Sequence, residues 1–355
     1  MNGVRYERVR LGAIGFQLAP VVVSSDELEL QLEPTYQALG LPPGQLVSLT
    51  GIEERRWWEP GTRLADATAR AAKLALDQGG ISADRIGALV YAGVCREGYE
   101  PATATAVAAR LGITTGASVY DVSNACLGVM NSILDLANRI ELGQIEAGLV
   151  VSAESAQTIV QETIEHLNQA PSLEAFIPAL ATLTGGSGAV AVLLVSEDAV
   201  NNEHELPRLR GGVTTVAPEH HELCRWGVHP DPQGRLGVRL EKMSTDSIGV
   251  LNHGVELGTE TWKRFLSAMN WRHTEVDRTI CHQVGSANQE SFLQAIEMSA
   301  ERDFITFPWL GNIGTVSLPL TAALAQERGF LQRGENVAWL GIGSGLVCLM
   351  IGWEW

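Results

Sequence analysis

Apolar positions along this chain follow two periods in turn. Residues 64–78 repeat apolar side chains at helical spacing, and 86–92 then form a continuous apolar run closed by Gly93. The pairing recurs: 102–111 reads as a helix ended by Gly112, and 147–153 as a buried strand. Gly185-Gly186-Ser187-Gly188 then precedes another apolar run, 189–195. Short apolar runs bounded by turn residues predict strands buried on both faces, and their alternation with helices predicts an α/β fold.

The second half repeats the theme. Helices are predicted over 247–269, 288–298 and 316–325, and strands over 278–281, 336–341 and 346–351. The last two strands are joined through Gly343-Ser344-Gly345. The stretch 201–213 is polar and irregular and reads as a connection. We therefore expect two α/β halves of similar size, 1–200 and 201–355, suggesting an internal structural duplication.

Composition narrows the class. Hydrophobic residues make up 45% and charged residues 19%, which fits a well-buried globular enzyme. The formal net charge of −16 disfavours nucleic acid and anionic membrane surfaces, so a phosphorylated ligand must meet a local basic patch. Cys95, Cys126, Cys224, Cys281 and Cys348 are scattered without CxxC spacing, which predicts reduced thiols and a cytoplasmic location. No signal peptide and no membrane-spanning run is read. Glu219-His220-His221-Glu222, with Cys224 and His229, offers metal-ligand types at no recognised spacing, so no metal is expected and the segment reads as a solvated loop.

Three polar residues stand where apolar strands end or turns begin. Cys126 follows the strand-like run before Ser123-Asn124-Ala125, and Leu127, Met130, Ile133, Leu134, Ala137 and Ile140 then recur at helical spacing. A cysteine at a helix start is expected to favour the thiolate. His282 directly follows Thr279-Ile280-Cys281, and Asn312 lies in Gly311-Asn312-Ile313-Gly314. Cys281 should point to the opposite strand face and reads as structural. Each polar residue alone suits a structural role. Together they make a Cys/His/Asn set fit for acyl transfer.

The runs around Cys126, His282 and Asn312, with Gly341-Ile342-Gly343-Ser344-Gly345 and Thr50-Gly51-Ile52-Glu53-Glu54-Arg55-Arg56, resemble the thiolase-superfamily condensing enzymes, close to ketoacyl-ACP synthase III. The chain looks most like the non-decarboxylative head-to-head condensing enzymes of bacterial olefin biosynthesis (OleA type). That likeness rests on Arg96-Glu97-Gly98-Tyr99-Glu100-Pro101-Ala102-Thr103-Ala104, on the length, and on the spacing of 30 between His282 and Asn312.

The resemblance implies a five-layered αβαβα fold and a homodimer in which the Glu100 loop reaches the partner's site. It implies that Cys126 accepts the acyl group of an acyl-CoA, with no other cofactor. His282 and Asn312 would bind the thioester carbonyl of the second substrate. The backbone N–H groups of Cys126 and Ser344 would form an oxyanion hole. Synthase III carries an aromatic residue where Glu100 stands, so this carboxylate suggests a base for α-proton removal. A carboxylate beside the helix start at Pro101 also suits plain capping. Arg55 and Arg56 suit either the CoA phosphates or plain cover of a surface, and Trp57-Trp58 either the pantetheine entrance or the core. Gly185-Gly186-Ser187-Gly188 should let a strand turn near the site. His282-Gln283-Val284-Gly285 departs from the His-Gln-Ala-Asn of synthase III, which puts dependence on acyl carrier protein in doubt. The alternatives are a decarboxylating synthase III and a non-catalytic acyl-binding homologue.

Overall fold

The apolar runs form strands with both faces covered. The computed structural model describes residues 3–114, 116–199, 206–230 and 239–355. The strands are β1 (Val4–Arg5), β2 (Val9–Leu18), β3 (Val21–Ser24), β4 (Glu54–Trp57), β5 (Ile86–Ala92), β6 (Ser118–Val122), β7 (Ala147–Glu154), β8 (Gly188–Ser196), β9 (Arg208–Val216), β10 (Cys224–Pro230), β11 (Arg239–Thr245), β12 (Arg278–Cys281), β13 (Asn336–Gly343) and β14 (Val347–Glu354). The helices are α1 (Ser25–Gln31), α2 (Glu33–Leu39), α3 (Gln45–Thr50), α4 (Leu64–Gly79), α5 (Thr103–Leu111), α6 (Gly128–Glu141), α7 (Gln157–Gln169), α8 (Leu173–Leu183), α9 (Ser247–Met269), α10 (Ser286–Ala295), α11 (Phe307–Leu310) and α12 (Ser317–Glu327).

One sheet runs in the order β12-β13-β14-β9-β2-β8-β7-β5-β6, with β1 beside β9. β2 and β9 meet at a single pair, Arg10 opposite Arg208, and the sheet divides there into two leaves. α6 packs on β2, β5, β7, β8 and also β14, while α12 packs on β2, β8 and β12. These two helices fill the space between the leaves. α4 covers the outer face of β2, β7 and β8, and α5 that of β5 and β6; α9 covers β9 and β14, with α10 against it. The layers are thus helix, sheet, helix, sheet, helix.

Side-chain alternation along each strand explains this layering. In β8, Val190, Val192 and Leu194 join the central cluster with Ile133 and Leu320, while Ala191, Leu193 and Val195 join Ala71 and Ala75 of α4. In β14, Leu349, Ile351 and Trp353 face the same centre, while Cys348 and Met350 face Phe265 of α9. Neither face meets water, so no polar alternation marks these strands in the sequence.

Two expectations are corrected. Part of the stretch read as an irregular connection is strand β9, paired with β14 along its length. Its two glycines hid it. A Cβ on Gly211 would stand 2.1 Å from the Val4 carbonyl, so close strand approach demands them. The helix expected over 288–298 runs instead as α10 and stops at Ile296. Glu297 takes φ 56°, and Met298 N–H donates back to the Leu293 carbonyl at 2.9 Å, a Schellman closure built without glycine.

Candidate active site

Cys126 lies between the end of β6 and the start of α6. Ala125 before it has φ 44°, a left-handed conformation strained for alanine, and Leu127 N–H closes the turn on the Asn124 carbonyl at 2.9 Å. The turn is tied to a second one: Val129 N–H donates to Thr315 Oγ1 at 2.8 Å. That second turn carries Asn312. Its Oδ1 accepts from Gly314 N–H at 3.0 Å, which leaves the amide NH2 as the group to offer a ligand. The Asn312 carbonyl accepts from Gly186 N–H at 2.9 Å. A Cβ on Gly186 would stand 2.1 Å from the Leu310 carbonyl, so the glycine-rich segment before β8 allows this contact beside the site.

His282 follows β12, with its N–H on the Leu340 carbonyl at 2.9 Å. Its ring is buried, and Nδ1 has no hydrogen-bond partner among the described residues. Burial pulls its pKa down to about 4, so the imidazole is neutral at physiological pH. The turn after β13 passes beside the Cys126 amide: a Cβ on Gly343 would stand 3.5 Å from Cys126 N. Cys126, His282, Asn312 and Ser344 all line one cavity of ≈ 490 Å³. The remaining wall is largely apolar, from Ile159, Val250, Val255, Phe292, Ile342 and Leu346 among others.

The thiol differs from the expectation of a resting thiolate. Burial first, then the neighbouring Cys224 and Glu154, pushes Cys126 up to about 12, against the opposing pull of its own backbone N–H. α6 begins two residues further on, and its helix start does not outweigh desolvation. Cys126 is a thiol at rest in a cavity that also holds a neutral imidazole.

Glu100 stands exposed on the loop between β5 and α5, outside the cavity of its own chain. It does not cap α5. The amides of Thr103 and Ala104 are taken by the Asp121 carboxylate, both at 2.9 Å.

One of the two proposed phosphate ligands, Arg55, is corrected. Arg55 is 1% exposed, and its guanidinium donates to the carbonyls of Val23 and Leu183. It is a core cation, with its pKa pulled down to about 10 by burial, and no phosphate reaches it. Arg56 is half-buried and also lies off the cavity wall. Trp57 and Trp58 are core residues; their indole N–H groups donate to the carbonyls of Gly185 and Glu154. Cys281, expected to face away from the site, packs among the side chains under α9 with its N–H on Asp303, and it also lines the cavity. Among the described residues no three His, Cys, Asp or Glu side chains gather as metal ligands; His220 stacks instead on His253. The side chain of His229 lies outside the described residues.

Sequence reasoning missed Glu154, Cys95 and Cys224, which also line the cavity. Glu154 ends β7, 4% exposed, and accepts from the N–H groups of Val94 and Cys95 at 2.9 and 3.0 Å. Nothing in a run of buried strand residues marks its last member as polar and cavity-facing, except that it is the first charge in the run.

Comparison with known proteins agrees with this geometry. Residues 266–355 match the C-terminal domain of 3-oxoacyl-[acyl-carrier-protein] synthase III, and residues 52–175 match the thiolase N-terminal domain. An acyl-CoA:acyl-CoA alkyltransferase of Shewanella oneidensis is 49% identical over 99% of this chain and 100% of its own. One of Xanthomonas campestris is 32% identical over 99% of each. The crystal structure of Xanthomonas campestris OleA with bound lauric acid and lauroyl-CoA superposes with a TM-score of 0.90 at 32% identity, covering 99% of this chain and 100% of that one. With a shared layered fold, near-complete coverage and such identity, this chain belongs to the thiolase-like condensing acyltransferases, in the family of the acyl-CoA:acyl-CoA alkyltransferases.

Proposed function

We propose that this enzyme joins two fatty acyl-CoAs head to head, without decarboxylation, to give a 2-alkyl-3-ketoacyl product. The observation that carries the reading is the convergence of Cys126, His282, Asn312 and Ser344 on one largely apolar cavity, in a chain of this family.

In the first half-reaction the Cys126 sulfur attacks the thioester carbonyl of one acyl-CoA. Its proton passes to the neutral imidazole of His282, so attack and deprotonation occur together and no resting thiolate is needed. The amides of Cys126 and Ser344 receive the oxyanion; such donors contribute ~2.7–4 kcal/mol each. Collapse breaks the carbon–sulfur bond to CoA, and the departing thiolate takes the proton from His282.

In the second half-reaction Glu100 of the partner subunit removes an α-proton from the second acyl-CoA. The enolate oxygen is held by His282 and the Asn312 amide. The α-carbon attacks the carbonyl of the Cys126 thioester, the carbon–sulfur bond breaks, and the departing thiolate takes up a proton while Glu100 gives up the α-proton it removed. A dimer is needed because Glu100 lies outside its own cavity. β6, which leads to Cys126, is one of the two terminal strands of the sheet, an edge suited to pairing with a second copy. All five cysteines are free, which suits a reducing cytoplasm.

The test is product analysis with long-chain acyl-CoA alone, then with malonyl-ACP added. Condensation from acyl-CoA alone supports the reading. Product only with malonyl-ACP would transfer the enzyme to decarboxylating synthase III chemistry. Intact-protein mass should also show one acyl group, absent in Cys126→Ser.

A further inference from the structure

Asp303 is a buried carboxylate that the reaction above does not use. It lies between α10 and α11, 7% exposed, and its two oxygens serve different partners. Oδ1 accepts from the Cys281 N–H and from Thr279 Oγ1, both at 3.0 Å, and so holds the end of β12 that presents His282. Oδ2 accepts from Gln289 Nε2 at 2.7 Å. Gln289 stands on α10 and lines the cavity, as do Phe292 one turn further on and both Cys281 and His282. An ionised carboxylate has no hydrogen to give, so the Gln289 amide can turn only one way, NH2 toward Asp303 and carbonyl away from it. Gln289 Oε1 has no hydrogen-bond partner among the described residues.

We propose that Gln289 is a substrate-binding residue and Asp303 its positioning residue: the carboxylate fixes the amide so that the cavity is offered a carbonyl oxygen, which takes a hydrogen-bond donor of the bound acyl-CoA. This rests on the acyl-CoA reading above. In a largely apolar cavity a few placed polar groups set orientation and specificity, and an acceptor left unpaired there costs binding. A glutamine free to flip offers the ligand either a donor or an acceptor; one held by a buried carboxylate offers a single sense. The same carboxylate holds the strand end before His282, so the register of the substrate and the place of the imidazole depend on one side chain. The donors that can enter such a cavity are an amide N–H of the pantetheine arm and a hydroxyl on the acyl chain.

The experiment compares three kinds of thioester of one chain length at pH 8, where Asp303, pushed up to about 6 by burial, is ionised. They are the pantetheine thioester, with N–H donors; the S-ethyl thioester, with none; and S-ethyl thioesters hydroxylated at successive positions of the chain. The readout is kcat/KM for acylation of Cys126, taken as a ratio to the plain S-ethyl thioester. Asp303→Asn keeps the oxygen that Cys281 and Thr279 use and sets an NH2 against Gln289, so the amide turns over and offers its own NH2 to the cavity. The ratio for a donor-bearing thioester should fall by roughly two- to tenfold. Asp303→Asn with Gln289→Glu exchanges carboxylate and amide, returns an acceptor to the cavity and should restore the ratio. A fall with the pantetheine thioester traces the donor to the arm; a fall with a hydroxylated chain traces it to the acyl group. Ratios that do not change, whether the rates hold or fall together, overturn the proposal, as does a loss that the exchange leaves in place. Failure of the wild-type enzyme to be acylated by any of these thioesters would instead strike the acyl-transfer reading, while calorimetric binding of their unreactive thioether analogues would still judge Gln289.

Discussion

Gln283 Oε1 accepts from Thr306 N–H at 2.7 Å, and so fastens the residue after His282 to the chain that leads to Asn312. The same oxygen accepts from Phe307 N–H at 3.1 Å, and Nε2 donates to the Cys281 carbonyl at 2.7 Å. Every group of this amide is used, at 1% exposure. The resemblance to synthase III ties the segment around Gln283 to dependence on acyl carrier protein; in this chain its side chain is internal and joins two parts of the site.

Replacing Gln283 with Ala strands the amides of Thr306 and Phe307 in the interior. The expected cost is roughly 1–3 kcal/mol for each unsatisfied amide, with slower condensation because the chain leading to Asn312 loses an anchor. Urea unfolding checks the first part and single-turnover condensation by the acylated enzyme the second. A midpoint equal to wild type would show that the amide has no such role.

Cys126 and Glu154 share the cavity, and the carboxylate opposes the thiolate. Glu154→Gln removes that charge and keeps the shape. The thiol pKa should fall, so alkylation of Cys126 by iodoacetamide near pH 8 should become faster. A purely structural role for Glu154 predicts equal or slower alkylation. The loop carrying Glu100 begins at Val94 and Cys95, whose amides Glu154 holds, so condensation should suffer even as the thiol grows more reactive.

His282 is held below its ordinary pKa, at about 4, by burial alone. The sign follows from linkage. The unfolded chain binds a proton as pH falls past ~6.5 and the folded chain does not, so stability is lost between ~6.5 and about 4. Asp303, pushed up to about 6 by burial, has the opposite slope over the lower part of that range. The clean measurement is therefore wild type minus His282→Asn in urea at pH 7 and pH 5. The stability difference should move against wild type on acidification. NMR should find the His282 ring neutral at pH 5.5; a protonated ring there would contradict the burial argument.

Much of this site could be read from the sequence because each key residue ends an apolar run. Cys126 and His282 follow strands, and Asn312 sits in the turn after the short helix α11; such boundaries are visible in one dimension. What depends on a neighbour brought from elsewhere was not. β9 was hidden because Gly211 and Gly212 answer to Val4 and Met350, distant in the chain. Arg55 was read as a candidate for the CoA phosphates, although the buried Trp57 two residues on shares its strand face and gives the same parity. Glu154 closes a fully buried strand, and only the folded cavity shows which way its carboxylate turns.

The last prediction concerns Glu100. Asp121 holds the first amides of α5, so a helix-capping role for Glu100 is not needed, and the residue stands exposed on its loop. If Glu100 of the partner subunit is the base, Glu100→Gln should still be acylated at Cys126, because the thiol, the oxyanion amides and His282 are untouched. Condensation should fall by roughly 10²–10⁴-fold, since the amide keeps the shape but accepts no proton. A decarboxylating enzyme generates its carbanion by loss of CO₂, so the same variant would turn over malonyl-ACP at a near-normal rate. The measurement is single-turnover condensation by pre-acylated Glu100→Gln enzyme, given an unactivated acyl-CoA or malonyl-ACP. Full activity with the unactivated acyl-CoA removes Glu100 from the mechanism. A mixed dimer supplies the geometric half of the argument. Pairing a Cys126→Ser chain with a Glu100→Gln chain leaves one intact cavity if the base crosses the interface, because the Glu100→Gln chain keeps its thiol and receives the carboxylate of its partner. If Glu100 serves its own chain, neither cavity is complete and the mixed dimer is inactive.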